Sequence, residues 1–295
     1  MTNPLPDDKI FMRFGTILQP KVNFRSRAFL QIHGFTRPVS FCILYPSDPS
    51  IPRREWIGRG GIAIYQYLLS SVAQEYDTVQ VLKSTQRGTV SLVRHKRTHT
   101  KFIFRDYIGN ADVYKKLLTV SCPYLPQIME VGCQGDRAAV LEEYIQGDSL
   151  DFLLEGALFT PAQTRRIALQ LCEALWVLHS FGAVHRDVKP ENVILRGDQA
   201  VLIDFDASRL VKDANCQDTQ VLGTTGFAAP EQYGIAQTDC RTDIYALGIL
   251  MNLLCTGKHP SVELAGGRLG RVIQKCTMIS PERRYQNVLA LMEAL

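Results

Sequence analysis

Hydrophobic positions in the first 57 residues keep no sustained helical or alternating period, and seven prolines (Pro4, Pro6, Pro20, Pro38, Pro46, Pro49 and Pro52) interrupt them. A boundary is expected near residues 58–61, which makes residues 1–60 a poorly structured or spurious N-terminal segment. From Ile62 the pattern changes. Ile64, Tyr65, Leu68, Leu69 and Val72 form an apolar helical face, and strand-like runs follow at 78–82, 89–93 and 101–105. A short helical stretch over 110–120 precedes two more runs at 127–131 and 138–144, so residues 61–146 predict five strands, a leading helix and one shortened helix. Beyond Gly147 the pattern is mainly helical to residue 295. Its clearest helix has Thr160 as N-cap, Pro161 at its first position, Ile167, Leu171, Leu175 and Leu178 on one face, and Gly182 just past its end. A second core helix is expected over 242–255.

Charge sharpens the contrast between the two parts. Residues 1–57 carry eight Lys/Arg against four Asp/Glu and account for the whole net charge of +4, whereas the rest holds 25 of each sign. A neutral main domain argues against nucleic-acid binding, which demands a basic face for the phosphates. No apolar run approaches the roughly 20 residues that span a bilayer, and the N-terminus lacks the order of a secretory signal, so a cytoplasmic protein without membrane attachment is expected. The eight cysteines form no CxxC or Cys/His cluster and read as reduced, mostly buried thiols.

Two segments carry chemistry. His185-Arg186-Asp187-Val188-Lys189-Pro190-Glu191-Asn192 follows the long helix, and Leu202-Ile203-Asp204-Phe205-Asp206 comes after a short predicted hairpin. A lone Asp/Asn hairpin carries no chemistry by itself, but eight matched positions followed by this second run resemble the protein kinase family, of the bacterial serine/threonine type. Residues 223–231, 242–248 and 281–285 add matches in the right order, so that the resemblance covers roughly Asp77 to Leu295. It implies an α+β, two-lobed fold: a small antiparallel-sheet N-lobe with a shortened helix, and a mainly helical C-lobe. It also implies ATP and Mg²⁺ as cofactors and a protein substrate with Ser or Thr. Asp187 would accept the substrate hydroxyl proton, Lys189 would neutralise the γ-phosphate, and Asn192 with Asp204 would hold Mg²⁺. Val90 and Ile103 would lie above the adenine and Ile194 below, with backbone hydrogen bonds from Glu143 to Ile145. The family pairs the Arg at position 284 with the Glu at 231, and uses the Asp at 243 to anchor the catalytic-loop backbone.

The N-lobe departs from the family pattern. Of the three glycines of the phosphate loop, Lys83-Ser84-Thr85-Gln86-Arg87-Gly88 keeps only the last, which weakens the backbone cradle. Val90 lies fifteen residues before Arg105, which places Arg105 where the family has lysine. A guanidinium there is larger, planar and differently directed. The helix Glu that would partner the lysine is missing, with Val113 near its position and Asp112 beside it. Glu142 falls at the usually apolar position at the back of the nucleotide pocket. A carboxylate buried there needs a cation, and Arg105 is the natural candidate; otherwise the register is off by one and Glu142 is solvated. Asp206 replaces the Gly of the DFG pattern, as in kinases of small molecules.

The leading expectation is an ATP-dependent serine/threonine protein kinase, with Thr224 favouring Ser/Thr over Tyr and Thr219 a candidate phosphosite able to pair with Arg186. The rivals are a pseudokinase that binds nucleotide or a partner without efficient transfer, motivated by Arg105 and the missing Glu, and a small-molecule phosphotransferase, motivated by Asp206.

Overall fold

The computed structural model describes residues 62–211, 226–233 and 238–295. The N-terminal segment with its expected boundary, Thr219 and Thr224 lie outside the described residues. Helix α1 (Ile62–Glu75) leads into β1 (Tyr76–Thr85), β2 (Gly88–His95) and β3 (Lys101–Ile108), followed by the short α2 (Asp112–Leu117), β4 (Ile128–Gln134) and β5 (Arg137–Glu143). The strands form one antiparallel sheet in the order β1-β2-β3-β5-β4. Helix α2 is shorter than the 110–120 stretch expected for it.

Interior strand β5 shows why this sheet has two covered faces. Its sequence RAAVLEE is buried from Ala138 to Glu142, a continuous run instead of an alternation. Ala138 and Val140 join the main core, while Ala139 and Leu141 turn to the opposite face and pack with Tyr65, Leu68 and Val72 of α1 and Val93 of β2. Burying that outer face is the task of α1. Gly132 of β4 permits the approach: a Cβ there would lie 2.7 Å from the Tyr65 Cα. The expected helical face needs one correction. Ile64 is exposed, because Tyr65, Leu68 and Val72 recur at three- and four-residue steps and Ile64 sits one residue off that stripe. Tyr65 also donates its hydroxyl to Asp106 Oδ1 at 2.8 Å, and Arg137 binds both of them.

The remaining chain is mainly helical. A two-residue strand β6 (Asp148–Ser149) precedes α3 (Leu150–Gly156) and α4 (Pro161–Ser180); β7 (Ala183–Val184), β8 (Val193–Arg196), β9 (Gln199–Leu202) and β10 (Arg209–Leu210) carry the intervening loops. Helices α5 (Cys240–Thr256), α6 (Gly267–Cys276) and α7 (Val288–Ala294) complete it. Helix α4 starts as expected. Thr160 accepts from the Gln163 N–H while the Gln163 side chain accepts from the Thr160 N–H, satisfying two donors that the helix itself leaves unpaired. Gly182, at φ 78°, follows its end. Leu171, Leu175 and Leu178 are fully buried and pack in the same core as Ile244, Leu247 and Leu250 of α5. Among the described residues no helix is long and apolar enough to cross a membrane.

Candidate active site

The segment 185–192 leaves α4 through β7 and is held from beneath. Asp243, at the start of α5 and wholly buried, accepts from the backbone N–H of His185 at 2.9 Å and of Arg186 at 2.8 Å, and from His179 Nε2 at 2.8 Å. Burial would push its carboxyl up, yet His179, His185 and these N–H donors outweigh burial and hold it below the usual carboxylate range. Arg186 adopts a left-handed φ of 71°, which costs a non-glycine residue about 1–2 kcal/mol. Asp243 at its N–H, and Gln232 Nε2 at 2.9 Å from its carbonyl, fix that turn. Glu231 is tied to Arg284 by two bonds of 2.7 and 2.9 Å, so the two pairings implied by the family resemblance are both present.

His185 is buried with both ring nitrogens engaged. Nδ1 accepts from the Asp187 N–H at 3.3 Å and Nε2 lies 3.2 Å from the Ile203 carbonyl, which requires the proton on Nε2. Burial first of all keeps this imidazole neutral, with its pKa below the ordinary histidine value. The ring therefore couples the loop at 185–192 to the strand that delivers Asp204.

Asp187 and Lys189 cluster with Asn192, which lines a cleft. Lys189 Nζ lies 2.9 Å from Asp187 Oδ2, and Asn192 Nδ2 donates to both Oδ2 and the carbonyl of Asp187 at 2.9 Å. With its nitrogen so used, Asn192 has its amide oxygen left as an acceptor that could hold a metal ion. Asp204, at φ 68°, presents a carboxylate whose Oδ1 is bonded to Arg105 and to the Asp206 N–H, leaving Oδ2 as a second hard-oxygen donor. This pair suits Mg²⁺, which takes one or two protein oxygens and fills the rest of its shell with water and phosphate. Among the described residues no group of three His, Cys, Asp or Glu side chains forms a full protein cage.

The cleft encloses about 240 Å³ and is lined by Val90, Ile103, Ile145 and Ile194, by Glu143, and by Arg105, Asn192 and Asp204. The structure thus brings all the residues expected to hold nucleotide and metal to one cavity. The Glu143 N–H already donates to the Gln127 carbonyl, so Glu143 can offer a ligand its own carbonyl. Its side chain is bonded to Arg196 Nη1 at 2.8 Å, which clasps the connection between the lobes to β8.

Behind the cleft, Arg105 and Glu142 form the expected buried pair. Arg105 Nε donates to Glu142 Oε1 at 2.7 Å, and its Nη1 donates to Asp204 Oδ1 at 3.0 Å and to Asp206 Oδ2 at 3.2 Å. Burial works against the guanidinium's charge, but Glu142 above all, with Asp204 and Asp206, outweighs it and keeps Arg105 protonated. Complete burial pushes the Glu142 carboxyl up, with Arg105 only partly opposing it, and Glu142 Oε2 has no hydrogen-bond partner among the described residues. The alternative of a solvated Glu142 is thereby removed. Asp112, beside the position of the missing helix Glu, instead binds Lys115 and Asn110.

Sequence reasoning missed Tyr114. From the short α2 its hydroxyl donates to Asp206 Oδ1 at 3.1 Å and accepts from the Phe205 N–H at 3.3 Å, while its ring meets Phe205 edge-on at 5.5 Å. Phe205 meets His185 in the same way at 5.4 Å. The helix thus reaches the turn at Asp204–Asp206 through a phenol instead of a carboxylate. The only available signal was an aromatic residue with a polar tip beside Val113. Burial of Asp204 is outweighed by Arg105, then Lys83, and its carboxyl stays below the ordinary range; Asp206, pushed up by burial and then by the neighbouring Asp204 charge, is the harder to ionise.

The Protein kinase domain family matches residues 78–287, well over half of the chain. The chain belongs to the protein kinase family. It is 33% identical over 265 residues to serine/threonine-protein kinase D of Synechocystis sp., covering 78% of this chain and 51% of that one. It is 37% identical over 164 residues to serine/threonine-protein kinase pkn2 of Myxococcus xanthus, covering 52% and 20%, and 27% identical over 268 residues to a probable serine/threonine-protein kinase of Clostridium acetobutylicum, covering 82% and 38%. The matched segments are thus a fifth to about half of these relatives' lengths.

Proposed function

We propose that this kinase domain transfers the γ-phosphoryl group of ATP to a serine or threonine hydroxyl of a protein. The observation that supports the reading is that Asn192 and Asp204 line one cleft, with Asp187 hydrogen-bonded to Asn192 and Lys189 paired with Asp187. The adenine would lie between Val90 and Ile103 on one side and Ile194 on the other. Backbone groups of Glu143 and Ile145 would bind its edge. Bound through Asn192 and Asp204, Mg²⁺ would neutralise phosphate charge. Asp187, oriented by Asn192, would take the proton as the substrate oxygen bonds to the γ-phosphorus and the bond to the ADP oxygen breaks. Lys189, beside Asp187, would cover the transferring group.

The test is transfer by the purified chain with Mg-ATP, alone and with a generic basic protein, compared with Asp187→Asn. Because Asp187 acts on the acceptor hydroxyl, the variant loses transfer by about 10²–10⁴-fold and keeps its nucleotide affinity. Equal autophosphorylation by variant and parent would reject the assignment. A pseudokinase would instead bind nucleotide and leave both proteins equally inert.

A further inference from the structure

Arg105 occupies the position from which a cation would reach the nucleotide's phosphates, yet its one charge faces three carboxylates, and its Nε and Nη1 are both committed to them. A second cation reaches the same cleft from the edge strand of the same sheet. Lys83 of β1 pairs in register with Val90 of β2, which in turn pairs with Arg105 of β3. Residues directly opposite one another project from the same face of a sheet, so Lys83, Val90 and Arg105 form one row over the cavity. A register shift between Val81 and Lys83 reinforces the placement: the bulge lets both Leu82 and Lys83 line the cleft, where a regular strand would turn one of them away. Lys83 makes no hydrogen bond or ion pair among the described residues, and its charge reaches both Asp204 and Asp206.

We propose that Lys83, at a position where this fold ordinarily places a phosphate-loop glycine, supplies the cation that contacts the triphosphate of the bound nucleotide, while Arg105 serves to hold Glu142, Asp204 and Asp206 in place. The inference rests on the kinase reading above and adds to it the residue that replaces the lost backbone cradle. An ammonium on a flexible stem can follow the phosphates as they enter, which the pinned guanidinium cannot.

The assay is calorimetric binding of Mg-ATP, Mg-ADP and adenosine to the full chain and to Lys83→Met. Lys83 is exposed on the outermost strand of the sheet, so the variant melts with the parent. Loss of one charge-assisted contact weakens Mg-ATP by about 10- to 100-fold. Adenosine, which has no phosphate, binds both proteins alike. Lys83→Arg, which keeps the charge, recovers part of the Mg-ATP affinity. Equal Mg-ATP affinity of Lys83→Met and parent would overturn the proposal and return the phosphate contact to Arg105. An equal loss for adenosine would overturn it too, by showing a structural role. A parent that fails to bind Mg-ATP at all would overturn the kinase reading itself, an outcome distinct from both.

Discussion

Replacing Arg105 and Glu142 by methionine, singly and together, probes the charge network behind the cleft. The two single variants are not equivalent. Glu142→Met leaves Arg105 with Asp204 and Asp206 at 3.0 and 3.2 Å, so the loss is that of one charged hydrogen bond, about 1–3 kcal/mol. Arg105→Met strands Glu142, 3% exposed and already without a partner for Oε2 among the described residues, and leaves two further carboxylates side by side. Breaking a buried pair in this way costs about 3–5 kcal/mol. The double variant has no stranded Glu142 and recovers about 1–3 kcal/mol of the summed losses; recovery is incomplete because Asp204 and Asp206 still lack their cation. Urea unfolding of the four proteins measures each term. A pH arm separates charge from packing. In Arg105→Met the folded-state pKa of Glu142 rises further above its unfolded value, so the folded protein binds the proton more tightly, and stability falls as pH climbs through that window. The deficit of Arg105→Met is therefore smaller at about pH 5 than at about pH 8. Losses that add within about 0.5 kcal/mol, with a deficit independent of pH, would refute the electrostatic account.

His185 predicts a pH dependence of opposite slope. Burial lowers its pKa, so below the ordinary value of about 6.5 the unfolded chain takes up a proton that the folded one refuses, and stability falls with pH; His185→Gln should flatten that part of the profile, and an unchanged slope would place the titration elsewhere. Asp204→Ala should abolish the thermal stabilisation conferred by Mg-ATP, and a full shift in the variant would move the metal role to other residues. A chain starting at Ile62 should fold and bind nucleotide as the full chain does, while Leu68→Ala, at 1% exposure between α1 and the sheet, should cost about 2–5 kcal/mol; a melting temperature unmoved by Leu68→Ala would show that α1 is dispensable.

Local features were legible in the sequence wherever one stretch of chain carried the whole signal. The start of α4 was one, because Thr160, Pro161 and Gly182 act through their own neighbours. The catalytic loop was another, its residues being contiguous. The Arg105–Glu142 pair was legible for a different reason: each residue is costly alone at its position, and β3 and β5 are adjacent. What escaped depended on geometry between distant segments. Tyr114 meets Asp206 across 92 residues of chain, and nothing near Tyr114 announces the carboxylate it will bind. Lys83 was legible only as a missing glycine, because the bulge that aims it at the cleft arises from the pairing of β1 with β2 and leaves no periodic trace. Ile64 fell outside its expected face because a helical stripe one residue wide of the contact reads much the same in hydropathy.

The same network explains how a kinase cleft can dispense with the helix carboxylate. In the family pattern a lysine on the third strand needs that carboxylate to hold it. Here Glu142, fixed on β5 beside β3, does so from within the sheet, and the helix is released from the task. Helix α2 can then be six residues long and contribute a neutral hydroxyl, which orders Asp206 and the Phe205 N–H without adding a further negative charge. That economy matters because Arg105 already faces three carboxylates, a local excess of two negative charges when all are ionised. In a partly buried site such an excess favours cations strongly. A divalent ion on Asp204 and the ammonium of Lys83 would together supply the missing positive charge, and both would arrive at, or close over, the phosphates. On this view the substitution of Arg for Lys, the Glu at the back of the pocket, the lost glycines and the shortened helix are one change expressed at four places in the chain.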